Sequence, residues 1–347
     1  MIGRHQPRPW SLATTGIGSL PHTQLEMALQ QSLQLDIPFL PSLPARDPAE
    51  LMIPQAADGL PGITFDREGN TTIDAATWER DARRFSAELD RALEASAHEA
   101  FEPSASSWRA WKPFLFEVEN RRLRFAKAQC TGPLTAQWVL KLDDGRAISA
   151  IPELERQVYR LVLARALSMV HAIRERGATP LFFFDEPGLY ALDKRNPIHL
   201  VRLQELRIAI LALKKAGAIV GLHCCSNTAW DALLTLGLDV LSLDARLSLS
   251  AVLATGAAVD HFIAGGGMLS LGIVPTNVAS SYDLTPLVES TLTSMRAHGG
   301  EAAVRRMLAQ TLLTPACGLG LRSVLDAEQT FVDVKAAQAM LRREAGK

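Results

Sequence analysis

The sequence predicts a mixed α/β fold, a single (β/α)₈ barrel with a β-hairpin and helices inserted after the second strand. Three observations predict it. In the second half of the 347-residue chain, short apolar runs alternate with helical stretches several times over, the pattern of strands joined by helical crossovers. The run TPLFFFDEP is apolar through its middle, as a strand covered on both faces is. Polar, reactive residues recur at the ends of these runs, and in a barrel those ends form one rim where active sites are built. A doubly wound sheet rarely spreads one site over eight parallel strands, so the closed barrel is favoured.

In chain order, TTGIGSLPHT predicts a short strand entering a Gly/Pro loop, and residues 23–35 a helix. IPFLPSLP predicts a second strand, broken by its prolines. Residues 62–74 alternate apolar and polar around an EGN turn, which signals a β-hairpin. An antiparallel hairpin cannot belong to a parallel barrel. The region of about residues 55–115 is therefore expected to be an insertion, placed to act as a lid, within one domain spanning 1–347. Residues 75–100 are helical, and RLRFAKAQC is the third strand. Within 151–177, Leu154, Val158, Leu161, Val162, Met169 and Ile173 fall on one helical face, with Pro152 in the first turn and Gly177 as the stop. Helices at 197–216, 227–236, 247–257, 284–296 and 301–310 then alternate with the strands AIVGLHCC, LDVLSLDA, LSLGIVPT and TLLTPACG. A last helix covers 326–343.

Composition narrows the function. Hydrophobic residues make up 48% and charged residues 21%, enough for a large core and typical of a soluble enzyme. A net charge of −1 gives no electrostatic basis for nucleic acid or an acidic membrane as partner. No apolar run reaches the length of a membrane span. The opening MIGRHQPRPWSLA lacks an apolar signal core, so a cytoplasmic location is expected. Four cysteines in so long a chain do not make a disulfide framework, and metal binding is the first alternative to test.

The rim residues are Ser19, Gln129, Cys130, Asp185, Glu186, His223, Cys225, Asp244, Thr276 and Cys317. On an extended strand, positions i and i+2 point the same way, so His223 and Cys225 can reach one ion. Asp244 ends the next strand and Cys317 the last. Imidazole, thiolate and carboxylate are all zinc donors. Structural readings stand beside this one. A buried cysteine is commonly a small apolar residue; Cys224 should face the other way into the core, and Cys130 should pack. Asp244 suits the N-cap of the following helix, and Asp185 and Glu186 suit loop caps. No H-E-x-x-H, Walker or Rossmann pattern occurs, and GGG at 265–267 precedes a strand and reads as a turn.

The strings GIGSLPHT, FFFDEPGLYAL, GLHCCSN, LDVLSLDA and TPACGLGLRS, in this order, resemble the catalytic barrel of cobalamin-independent methionine synthase, within the superfamily that includes uroporphyrinogen decarboxylase. The resemblance runs in islands from Thr14 to Arg322. It implies a zinc site of His223, Cys225, Asp244 and Cys317, with Asp244 standing where the family has Glu. It also implies that Asp185 holds the amino group of homocysteine, with Glu186 beside it, and that Ile17, Gly18 and Ser19 receive its carboxylate. The family's His-Gly-Glu segment is absent; FLPSLPARDPAELM stands near its place. Against that family pattern, a second, folate-holding barrel is not expected here.

The implied activity is zinc-dependent transfer of a methyl group to a thiol, homocysteine giving methionine. The implied donor is methylcobalamin on a partner corrinoid protein or 5-methyltetrahydrofolate, with the corrinoid favoured. Two other classes remain open on the residues alone: a lyase of the uroporphyrinogen decarboxylase type, and a barrel that only binds a ligand.

Overall fold

A computed structural model describes residues 10–94, 98–277 and 283–346. Residues 1–9, where a leader was sought, and 95–97, inside the expected helix 75–100, lie outside the described residues. The strands in chain order are β1 (Ala13–Thr14), β2 (Ile63–Phe65), β3 (Thr71–Ile73), β4 (Phe125–Thr131), β5 (Lys141–Leu142), β6 (Thr179–Asp185), β7 (Ile219–His223), β8 (Val240–Asp244), β9 (Met268–Val274) and β10 (Thr311–Pro315). Seven form one sheet in the order β1-β10-β9-β8-β7-β6-β4, every pair parallel. Helices connect most of them, as alternation predicts.

The expected eighth strand is not formed; the sheet has seven strands among the described residues. IPFLPSLP instead crosses between the two sheet edges on scattered bonds. The Ile37 amide donates to the Thr14 carbonyl, Leu40 to Lys127, Lys127 to Pro38 and Ser42 to Gly18, with isolated bridges Ser19–Ser42 and Phe39–Lys127. Pro38 and Pro41 have no N–H to offer, so a continuous ladder cannot run here. The result is barrel-like closure without the complete eight-stranded barrel.

The expected hairpin is present as β2 and β3, antiparallel. It does not stand alone: β3 also pairs with β5. The buried Arg165 guanidinium adds a second tie, donating to the Asp58 carboxylate at 2.9 Å and to the Asp58 carbonyl. Two helical stretches differ from expectation. The stretch 227–236 keeps helix only over Trp230–Leu233, because the Asn227 side-chain Oδ1 accepts from the Thr228 amide and the Trp230 indole, bonds that compete with a helical start. The stretch 247–257 becomes Ala245–Leu253 and Ala257–Ala264, parted at Gly256 with φ +56. The expected helices 284–296 and 301–310 are present within Thr285–Leu308, parted by non-helical Gly299 and Gly300. No single helix among the described residues is long and apolar enough to cross a membrane.

Side chains alternate across the strands. Phe182, Phe184, Leu222, Leu241, Leu243, Leu269 and Leu271 join the main apolar cluster with the helices. Leu181, Phe183, Val240, Met268 and Leu312 form a separate cluster with Trp10, Ala13 and Ile37, the floor of the sheet's inner side. Phe183 fills this space because Gly221, beside it on β7, has no side chain: a Cβ there would overlap the Phe183 ring. Gly221→Ala is therefore expected to lower stability by about 1–3 kcal/mol through overpacking, although Gly→Ala at a compatible site stabilises. Urea unfolding with an unchanged slope checks the sign; a variant as stable as the parent would remove the argument for this contact.

Candidate active site

The inner side above the apolar floor opens into a cavity of about 290 Å³. Strand register builds its wall. Asp185 pairs with His223, and His223 with Ser242, so the C-terminal ends of β6, β7 and β8 place these three side chains in one row. Cys225 follows His223 by two positions, and Cys317 lies two residues beyond β10. One ligand atom from each of His223, Cys225 and Cys317 lies within 4.8 Å of the others.

His223 is buried at 5% exposure. Its Nδ1 meets the Ser242 hydroxyl at 2.9 Å, while its Nε2 is buried with no hydrogen-bond partner. An imidazole fixed through one nitrogen with the other unpaired is the arrangement of a metal ligand. The Cys225 thiol is held well below its usual range by the hydrogen bond from Cys317 and by His223. Cys317 is pushed up by that same Cys225 bond and by burial. A nitrogen and two sulfurs fit zinc, with a fourth position left for another ligand.

Asp185 lines the cavity beside this set. Its Oδ1 is enclosed without a hydrogen-bond partner. Burial pushes its carboxyl up to about 6, against the pull of His223 and Lys127. Ile17, Gly18 and Ser19 line the cavity as expected. The loop after β10 packs on them: the Leu319 amide donates to the Ser19 carbonyl at 2.9 Å, and the Gly320 amide to the Ser19 hydroxyl at 3.3 Å.

Two expected site residues point elsewhere. Asp244 stands outside the three-residue metal set; its Oδ1 accepts from the Arg246 and Leu247 amides, capping the helix Ala245–Leu253. Glu186 is fully buried and absent from the cavity wall. Its carboxylate accepts from the Leu134 and Thr135 amides and the Thr135 hydroxyl, capping the helix Pro133–Val139 across Gly132. Burial pushes it up to about 7 against those bonds. Thr276 does not line the cavity, Gln129 and Cys130 do, and Cys224 is fully buried in the core as expected.

Sequence reasoning missed Ser242 and Lys127. Ser242 carried a faint signal, since it occupies an alternate position of β8 with Asp244. Lys127 sits in RLRFAKAQC at the spacing of Gln129, which puts it on the inner face.

No protein-family model matches the chain, and no curated protein sequence matches it. Among solved structures, a methyltransferase from Methanosarcina mazei is 15% identical over 96% of this chain and 93% of that one, with a TM-score of 0.57. A B12-independent methionine synthase from a Shewanella species, in complex with selenomethionine, is 14% identical over 67% of this chain and 66% of that one, with a TM-score of 0.47. The chain thus spans just under two thirds of that synthase's length. The first likeness shows a shared fold.

Two substitutions separate ligand support from helix capping. Ser242→Ala should lower metal affinity by about 10–100-fold, the usual effect of removing a ligand's hydrogen-bond partner. Asp244→Ala should cost about 0.5–2 kcal/mol of stability as a lost cap and leave metal affinity unchanged. Competition with a chromophoric chelator, run beside thermal unfolding, reads both; a metal defect in Asp244→Ala would return that residue to the ligand set.

Proposed function

We propose that this protein is a zinc-dependent methyltransferase that moves a methyl group onto a thiol, with homocysteine as acceptor and methionine as product. The observation that carries the reading is the convergence of His223, Cys225 and Cys317 donors beside Asp185 on one cavity wall. The likeness in fold to a solved methyltransferase is in keeping with it.

A free thiol is a weak nucleophile at neutral pH because little of it is ionised. Zinc, when bound, supplies the Lewis acidity that keeps a substrate sulfur deprotonated. Two protein thiolates make the ion electron-rich and leave that sulfur reactive. Ser242 holds the His223 ring in the orientation that presents Nε2. Asp185 offers an unpaired carboxylate oxygen to the substrate ammonium. The amides of Gly18 and Ser19 take the substrate carboxylate. Leu51, Met52 and Pro187, also on the wall, exclude water around the reacting methyl. The donor is a methyl-corrinoid on a partner protein or 5-methyltetrahydrofolate protonated at N5; as the sulfur–methyl bond forms, the cobalt–carbon or N5–carbon bond breaks and cob(I)alamin or tetrahydrofolate leaves.

Purified protein should contain about one zinc per chain, as a three-ligand site with an open position does. The Cys225→Ser, Cys317→Ser double variant should lose it, and full zinc in that variant by metal analysis would sink the assignment. Asp185→Asn should keep the zinc and weaken homocysteine binding by about 1.5–3 kcal/mol, the range for a hydrogen bond to a charged group. Calorimetry on the zinc-loaded protein measures this, and undiminished affinity would mean that the acceptor carries no ammonium at Asp185.

A further inference from the structure

We infer that Lys127 is a positioning residue of the acceptor site: clamped on the Ile17 carbonyl, it orients the amides of the 17–19 loop and makes the site selective for a thiol that carries a carboxylate. The inference deepens the reading above and rests on it for the identity of the acceptor.

Lys127 is 2% exposed, in the middle of β4 on the inner side of the sheet. A buried lysine is rare and costly unless its charge is served. Among the described residues no carboxylate lies within 4.0 Å of it, so it is not there to complete an ion pair. Its Nζ donates to the Ile17 carbonyl at 2.6 Å and to the Gln129 Oε1 at 2.9 Å, and lies 4.9 Å from the centre of the Phe183 ring. An apolar side chain of the same length would sit comfortably against that ring. What it would lose is the hold on the loop.

That hold has a direct geometric consequence. In a trans peptide the C=O of one residue and the N–H of the next point opposite ways. Fixing the Ile17 carbonyl on Lys127 therefore fixes the Gly18 N–H, pointing away from the ammonium. The next unit is fixed likewise, because the Ser42 amide donates to the Gly18 carbonyl at 3.1 Å and so sets the Ser19 N–H. Among the described residues, neither the Gly18 nor the Ser19 amide donates to any group, and both residues line the cavity. Two adjacent, oriented, unpaired amides suit an anion.

Gln129 secures the arrangement. Its Nε2 donates to the Leu40 carbonyl at 2.8 Å, and a Cβ on Gly18 would come within 2.6 Å of that nitrogen. The loop thus lies flat on the Lys127–Gln129 pair. Burial pushes Lys127 down to about 8, and Asp185 opposes that fall. The site is bipolar, with oriented amides above a buried cation for a carboxylate and Asp185 for an ammonium. That matches an amino-acid thiol.

The test uses the full-length, zinc-loaded protein and Lys127→Met, with Lys127→Gln as a second variant should the first fail to fold. Without any thiol, amide exchange by mass spectrometry follows residues 15–21. With thiol, calorimetry compares homocysteine with 3-aminopropane-1-thiol, which has the same chain and no carboxylate. The expected result is faster exchange at 15–21, unchanged zinc content, a homocysteine affinity lower by about tenfold or more and an unchanged aminothiol affinity. Unaltered exchange, or equal losses for both thiols, overturns the role of Lys127. A parent protein that binds neither thiol overturns the proposed acceptor and the selectivity with it, while the exchange comparison still decides whether Lys127 orders the loop.

Discussion

The register of five parallel strands aligns the polar row on the inner side of the sheet. Thr131 pairs with Asp185, Asp185 with His223, His223 with Ser242, and Ser242 with Ser270. Side chains alternate with a period of two, so a slip of one residue turns a strand's whole inner set outward. In β6 a slip would bring Phe182 and Phe184 inward and drive Asp185 among the helices. Those two rings are fully buried in the main apolar cluster, each worth about 1.5–3 kcal/mol of burial. The apolar packing outside the sheet is thus what aligns the polar row inside it.

Within that frame the buried charges are treated differently, and the difference marks the site. Glu186 receives two amides and a hydroxyl at a helix N-terminus. Arg165 is answered by Asp58, and Lys127 by a carbonyl and an amide oxygen. Asp185 Oδ1 and His223 Nε2 receive nothing from the described residues. Buried polar groups in folded proteins are nearly all paired; on this wall Glu50 Oε1 also lacks a hydrogen bond but is ion-paired to Arg109, which leaves Asp185 and His223 as the two that point to a ligand. Ser270 and Thr314 hydroxyls, also buried and unpaired, continue that polar layer around the inner face.

Legibility followed the physics of each element. Strands covered on both faces were plain because burial forces a continuous apolar run: β6, β7, β8 and β10 fall within the stretches expected, and β4 and β9 overrun theirs by one residue. His223 and Cys225 were legible because strand geometry alone puts i and i+2 together. The closing segment was not, since its prolines permit an extended course but forbid the ladder that would make it a strand. Asp244 and Glu186 show the other boundary: a carboxylate at a strand end suits a ligand and a helix cap equally, and only the path of the following helix decides. Lys127 was passed over because nothing in one strand's sequence says which face meets the loop of another.

Cys317 owes its place to the meeting of the first and last strands. β1 pairs with β10, Ala13 with Leu312, which brings the loops that follow them side by side. The approach is close because one loop is nearly bare of side chains: a Cβ on Gly318 would collide with the Ser19 hydroxyl, and one on Gly320 would come within 2.7 Å of Pro44. Gly318 follows Cys317 directly, and Ser19 belongs to the loop that lines the acceptor end of the cavity. Cys317 and the 17–19 loop are therefore one mechanical unit, hydrogen-bonded through Leu319 and Gly320. A side chain that pushed the two loops apart would move the Cys317 sulfur and the 17–19 loop together, so under the proposed function any metal affinity and acceptor affinity would be coupled by packing at this junction.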